Sequence, residues 1–196
     1  MDKYDSLASY DRDFFIEQLQ KNLDEKRFNH CLRVEAKAVQ LAELFVADVS
    51  RASIAGLLHD YCKQMPDAKF IETIKQKHLN PELVEYGNGI WHGIVGAEII
   101  ADELNIHDEI ILNAIRKHTV ADPYMTDIDK IVFIADFIED ARDFPEVDEA
   151  RKLARTSLDN AMAFEIKHTL EYLITNKKKI YPKILDSYNQ WVVEDN

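Results

Sequence analysis

The chain has 196 residues, 46% of them hydrophobic and 10% aromatic, with only five glycines and five prolines. That is enough for one packed core, cramped for two domains, and poor in the turn residues an all-β design needs. A formal net charge of −12 argues against unspecific binding of nucleic acid or of an anionic membrane, both of which need a cationic surface.

The apolar periodicity is helical almost throughout. Phe14, Phe15, Leu19 and Leu23 mark an opening helix that Asp11 or Asp13 can cap. Leu32, Val34, Ala38, Leu41, Ala42 and Phe45 follow an i, i+3, i+4 pattern through a second helix. Ser50 reads as the N-cap of a third, which runs through Ala52, Ile54, Ala55 and Leu58 into the pair His59-Asp60. Pro66 fits the first helical position of a short segment carrying Phe70, Ile71 and Ile74. Pro81 to Asn88 predicts a short helix and loop ending in Gly87-Asn88-Gly89.

His92 then opens a helix with Val95, Ala97, Ile99 and Ile100. Asp108 caps the next, which holds Ile111, Ala114 and Ile115 and ends at His118-Thr119. Pro123 breaks the chain, and a buried helix resumes over 128–140 around the run Ile131 to Ala135. A long helix is predicted from Val147 to Ile174, and Pro182 precedes a final amphipathic one with Ile184, Leu185, Tyr188 and Trp191. Lys177-Lys178-Lys179 is the only cationic run.

Two cysteines, Cys31 and Cys62, cannot build a disulfide framework and read as reduced core residues. With no apolar run of membrane-spanning length and no basic-then-apolar leader, they predict a cytoplasmic protein.

The chemistry lies in the polar residues embedded in these apolar helices. In chain order they are His30, His59-Asp60, His92, His118-Thr119 and Asp136. A lone histidine is more often an ordinary core or surface group, and His78, His107 and His168 are read so. Asp136 is sharper: it stands between Ile131–Ala135 and Phe137-Ile138, where burying an unpaired carboxylate is costly. A cation compensates it, or else an ion pair with Arg142 or Lys130. Histidine and carboxylate ligands without thiolate suit iron, manganese, cobalt or zinc, and open coordination positions suit hydrolysis.

Five stretches carry a resemblance. They are Arg27-Phe28-Asn29-His30-Cys31-Leu32-Arg33-Val34, Ala55 through Lys63 around His59-Asp60, Trp91-His92-Gly93, Ala114 through Thr119, and Ile134 through Arg142 around Asp136. The chain resembles the HD-domain phosphohydrolases, an all-α helical bundle with a His…His-Asp…Asp metal signature. More closely, it is similar to the YqeK family of symmetrical bis(5'-nucleosyl)-tetraphosphatases, which cleave diadenosine tetraphosphate into two ADP. The similarity runs from about Arg27 onward. Asp140 and Phe137, where related chains often carry proline and tyrosine, depart from the pattern outside the ligand set.

The resemblance implies one HD domain over 1–196, with a metal-binding core over about 24–145 and the helices over 146–196 packing as a cover. It implies that His30, His59, Asp60 and Asp136 hold the primary metal, most simply iron. His92 and His118 either face substrate phosphates or complete a second metal site bridged by Asp60; one metal or two stays open. Asp60, Lys63, His92 and His118 form the implied catalytic set.

Spacing adds the phosphate path. Arg27 lies three residues before His30, and Lys63 three after Asp60, so each shares a helical face with its neighbour. Arg142 comes just past the Asp136 helix. For Lys179 and Tyr181 two readings stand side by side: the tail folds back over the nucleotide, or the lysine run is a solvated end. Trp91 is read as core. The implied substrate is a dinucleoside polyphosphate and the product ADP, with no nucleic-acid or membrane partner; a homodimer is left open. Two further readings stand beside it, another HD phosphohydrolase acting on nucleotides or cyclic dinucleotides, and a non-catalytic nucleotide-sensing module.

Overall fold

Aspartate side chains start most of the early helices in this acidic chain. In the computed structural model, which describes residue 7 and residues 10–193, Asp11 caps α1 (Arg12–Asn22), Asp24 caps α2 (Glu25–Leu44) and Asp48 caps α3 (Val49–Leu58). Each carboxylate accepts a hydrogen bond from a first-turn backbone N–H and meets the positive end of the helix dipole. Ser50 is therefore already inside α3, and the cap is Asp48. Pro66 stands one position earlier than expected, at the N-cap of α4 (Asp67–Gln76).

A 3₁₀ turn over Pro81–Glu85 leads to α5 (Asn88–Ile94) and α6 (Gly96–Glu103). His92 thus sits inside α5 rather than opening a helix, and a break at Val95 separates two short helices where one was expected. Asp108 caps α7 (Glu109–Lys117) as its spacing predicts, and Thr126 with Asp129 forms a reciprocal capping box at the start of α8 (Asp127–Ile138). The helix expected from Val147 to Ile174 is two: α9 (Val147–Ala154) and α10 (Leu158–Thr175), with Ser157 capping the second. The last is α11 (Pro182–Trp191). Among the described residues there is no strand, and no helix is long and apolar enough to cross a membrane.

None of the five glycines supplies a left-handed turn; helices close instead on Val46, His78 and Lys177, at φ 56°, 52° and 51°. In each case the next residue's N–H returns to the carbonyl five positions back: Ala47 to Ala42, Leu79 to Ile74, and Lys178 to Leu173. This gives His78 a plain structural role.

Helix α8 is the axis of the bundle. Its residues Ile128 through Ala135 are all buried, and it packs against α2, α3, α7, α9 and α10. Helices α2 and α3 approach most closely at Gly56, where a Cβ would stand 3.0 Å from that of Ala38 and 3.2 Å from the Glu35 Cα. The absent side chain lets the two backbones touch, and it sets His30 on α2 beside His59 at the end of α3. Helices α9 and α10 lie on α8, α11 packs on α10, and Met162, Ile166, Leu170 and Ile184 join the same apolar core.

Candidate metal centre

Four histidines from four elements turn the same nitrogen toward one buried point. His59 and His118 are the C-cap residues of α3 and α7, and each hands its Nδ1–H to a last-turn carbonyl three residues back: Gly56 O at 2.7 Å and Ile115 O at 2.6 Å. His92 Nδ1 turns likewise to a carbonyl of its own helix, Asn88 O four residues back at 2.5 Å, and His30 Nδ1 meets Glu139 Oε1 at 3.2 Å. A carbonyl or carboxylate oxygen can only accept, so in every ring Nδ1 carries the proton and Nε2 of the neutral ring is a bare acceptor. Such fixing of the tautomer through the far nitrogen is the usual support of a ligating imidazole.

The bare atoms converge. His30 Nε2 lies 3.3 Å from His59 Nε2 and 3.1 Å from Asp136 Oδ1, while Asp60 Oδ2 lies 3.6 Å from His30 and 3.5 Å from His59. On the other side, Asp60 Oδ1 stands 3.2 Å from His92 Nε2 and 3.9 Å from His118 Nε2, which are themselves 3.1 Å apart. Among His30, His59, Asp60 and Asp136 none of the facing atoms offers a donor to the others; Arg27 and Arg142 relieve the two carboxylates from outside, and a cation at the centre would relieve all four. Ligand atoms about 2.1 Å from a common cation stand about 3–3.5 Å apart, close to the spacings here. The residues therefore fit a divalent metal. Three overlapping groups have that capacity: His30, His59 and Asp60; His59, His118 and Asp136; Asp60, His92 and His118.

Electrostatics follow from the crowding. Burial pushes the Asp60 carboxyl up, but His59, His92 and Lys63 outweigh it and hold it well below the usual carboxylate range. Asp136 is likewise pushed up by burial and held low by the adjoining His30 ring and by the charges of His59 and Arg142. Burial and the nearby Lys63 push His92 down to about 4, and burial with the neighbouring imidazoles takes His118 to about 3, so both are neutral at neutral pH. For His59 burial pulls down, while Asp60 and Asp136 leave it raised. Burial pushes the Cys31 and Cys62 thiols well up, so neither offers a thiolate.

The HD domain family profile matches residues 27–141. The chain is 38% identical over 175 residues to a symmetrical bis(5'-nucleosyl)-tetraphosphatase of Bacillus subtilis, covering 89% of this chain and 94% of that one. It is 40% identical over 177 residues to a protein of the same description from Staphylococcus aureus, covering 89% and 91%. The chain belongs to the HD-domain family of symmetrical bis(5'-nucleosyl)-tetraphosphatases. A 1.50 Å crystal structure from Clostridium acetobutylicum, described as a predicted HD superfamily hydrolase involved in NAD metabolism, shares the fold of this HD domain. It superposes with a TM-score of 0.89 at 34% identity, over 93% of this chain and 97% of the other.

Cations ring the HD-domain cluster. Arg27 Nη1 donates to Asp60 Oδ2 at 2.6 Å, and Lys63 Nζ lies 3.0 Å from His92 Nε2 and 3.8 Å from Asp60 Oδ1. Arg142 donates from Nη2 to Asp136 Oδ1 at 2.5 Å and from Nε to the Asp136 carbonyl at 2.9 Å. Asp136 has, of the partners weighed for it, the ion pair with Arg142, beside a cluster with the capacity to hold a cation. Its side chain is 22% exposed, so it lies at the mouth rather than in the core. Lys130 instead pairs with Asp159. Trp91 is buried, donating from Nε1 to Leu83 O at 2.6 Å.

Lys179 and Tyr181 do fold back. Lys179 Nζ donates to Glu85 O at 2.8 Å and lies 4.6 Å from the Tyr86 ring, and the Tyr181 ring meets Tyr86 edge-on at 4.9 Å. Both line a pocket of about 530 Å³ whose inner wall includes Thr119 beside His118. The buried Thr119 hydroxyl has no hydrogen-bond partner among the described residues.

Glu139 is the residue the sequence reading missed. It accepts from His30 Nδ1, from Arg33 Nε at 2.6 Å and from the Ala141 N–H at 2.7 Å. Burial pushes it up, but Arg33 and the Ala141 amide hold it below its ordinary value, so it stays a carboxylate. The available signal was its spacing, three residues after Asp136 on the same helical face.

Proposed function

We propose that this chain hydrolyses diadenosine tetraphosphate symmetrically to two ADP, with His30, His59, Asp60 and Asp136 holding a divalent metal. The observation that carries the reading is the inward convergence of these acceptors, each histidine fixed from behind, in a chain that matches symmetrical tetraphosphatases over nearly all its length. Nitrogen and oxygen ligands without thiolate suit iron, manganese, cobalt or zinc alike, and the family resemblance makes iron the proposed metal. The neutral state of His92 and His118 supports them as further ligands, with Asp60 as the bridge, over a role as phosphate-binding imidazolium. The core over 24–145 is taken to carry the metal, with the helices over 146–196 as its cover.

When bound, the metal lowers the pKa of water and polarises a phosphoryl oxygen. The chain supplies the rest. Water adds to an inner phosphorus, the bond from that phosphorus to the central bridging oxygen breaks, and one ADP leaves while the other carries the new oxygen. Arg27, Lys63 and Arg142 neutralise charge on the four phosphates, the arginines through bidentate contacts and the lysine as a point charge. Asp60 orients the attacking water. Lys179, Tyr181 and the Thr119 hydroxyl seat one nucleoside in the pocket beside His118, an apolar wall with a few polar atoms.

Chromatography of the products from anaerobically iron-loaded protein tests this. ADP as sole product is expected. ATP with AMP would keep a hydrolase but reject the symmetrical cut, and no turnover with tight nucleotide binding would leave a sensor.

A further inference from the structure

A symmetrically cut dinucleotide has two nucleoside diphosphate halves, and the pocket beside His118 accounts for one. The centre is itself two-sided. Asp60 Oδ1 faces His92, His118 and Lys63, the side nearer that pocket, which Thr119, next in the chain to His118, lines. Asp60 Oδ2 faces His30, His59 and Arg27, and this side opens on a different cleft of about 420 Å³.

That second cleft concentrates cations in an acidic protein. Lys26, Arg27, Arg33 and Arg142 line it, against Glu139 and Asp143. Its outer wall is Phe144, half-buried and held from behind: its ring lies 4.7 Å from that of Phe137 and 5.2 Å from that of His168, with Phe164 stacked on His168 in turn. The ring is braced yet only partly covered, the condition for a stacking platform whose ordering cost is already met. An apolar ring beside four cations suits a base followed by phosphates, since the base gains by stacking and the diphosphate by guanidinium contacts.

We infer that the Lys26–Arg33–Arg142 cleft, with Phe144 as its stacking wall, is the seat of the second nucleoside diphosphate half of the substrate. The inference rests on the dinucleotide reading above. One half lies against Tyr181 and Thr119, the central bridge sits over Asp60, and the other half runs past Arg27 and Arg142 to Phe144. The seat is nonspecific toward the base, because stacking is available to any base.

Steady-state kinetics on two substrates tests it, using diadenosine tetraphosphate and adenosine 5'-tetraphosphate, which has the same four phosphates but one nucleoside. Phe144→Ala is expected to lower kcat/KM about tenfold on the dinucleotide and to leave the mononucleotide within twofold. Phe144→Leu, which keeps the apolar packing on Phe137, should show the same split, and Lys26→Ala on the exposed rim a smaller fall on the dinucleotide. An equal fall on both substrates, or no fall on either, overturns the inference. Equilibrium titration with ADP gives a readout apart from turnover: metal-loaded wild type should bind two ADP per chain and Phe144→Ala one, and a single ADP in wild type overturns it. Failure of the wild type to cut the dinucleotide into ADP would instead reject the underlying activity.

Discussion

Replacing Asp60 by alanine is expected to lower turnover by at least about a thousandfold while the helical content stays that of the wild type. The two carboxylate oxygens of Asp60 face the two halves of the centre. Its Oδ2 faces His30, His59 and Arg27, and its Oδ1 faces His92, His118 and Lys63. Alanine leaves two cations and four inward nitrogens around an empty volume, so metal binding, water orientation and charge balance fail together. Asp60→Asn separates these effects, because it fills the volume and removes the charge. It should lose nearly as much activity with a melting temperature closer to wild type. Helical content is read by circular dichroism and turnover by product chromatography; activity within a few-fold of wild type in either variant would remove Asp60 from the mechanism.

Changing Glu139 to glutamine is expected to weaken metal affinity by about ten- to a hundredfold with the site otherwise intact. Glu139 acts on the metal through His30. It accepts the His30 Nδ1 proton and is itself pinned by Arg33 and the Ala141 N–H, so its charge raises the basicity of the far nitrogen and fixes the ring plane. Glutamine keeps the shape and one acceptor but loses that charge. Competition against a chelator of known affinity reads the loss directly, and turnover at saturating metal should recover most of the wild-type rate. Unchanged affinity would reduce Glu139 to a structural partner of Arg33.

Most of the centre could be read from the chain because its ligands violate their surroundings. His59-Asp60 closes an apolar helix, and Asp136 follows Ile131 to Ala135, so polarity there stands out against the helical period. Glu139 was hidden for the opposite reason: at the end of α8, followed by Asp140, it resembles any solvated helix terminus, and its burial comes from α2 across the bundle. Two of the missed helix boundaries carry ambiguous signals. Arg155-Thr156-Ser157 interrupts the predicted 147–174 helix with only a serine cap to mark it, and the step between α5 and α6 at Val95 lies between Gly93 and Gly96, glycines that stand inside helices and take no left-handed turn. The position of Lys179 and Tyr181 depends on α10 folding the tail back to Glu85 and Tyr86, a contact across more than ninety residues that local patterning does not encode. The second cleft escaped notice likewise, since Lys26, Arg33 and Phe144 come together only when α2 meets the turn after α8.

The buried acceptors are proposed to act by gathering a divalent cation. The most direct test strips the protein with a chelator under anaerobic conditions, then restores iron stepwise while metal content and diadenosine tetraphosphate turnover are measured on the same samples. No turnover is expected in the stripped protein, with recovery that follows one or two equivalents per chain and neither binding nor recovery in His59→Ala. Full activity without metal would contradict that proposal.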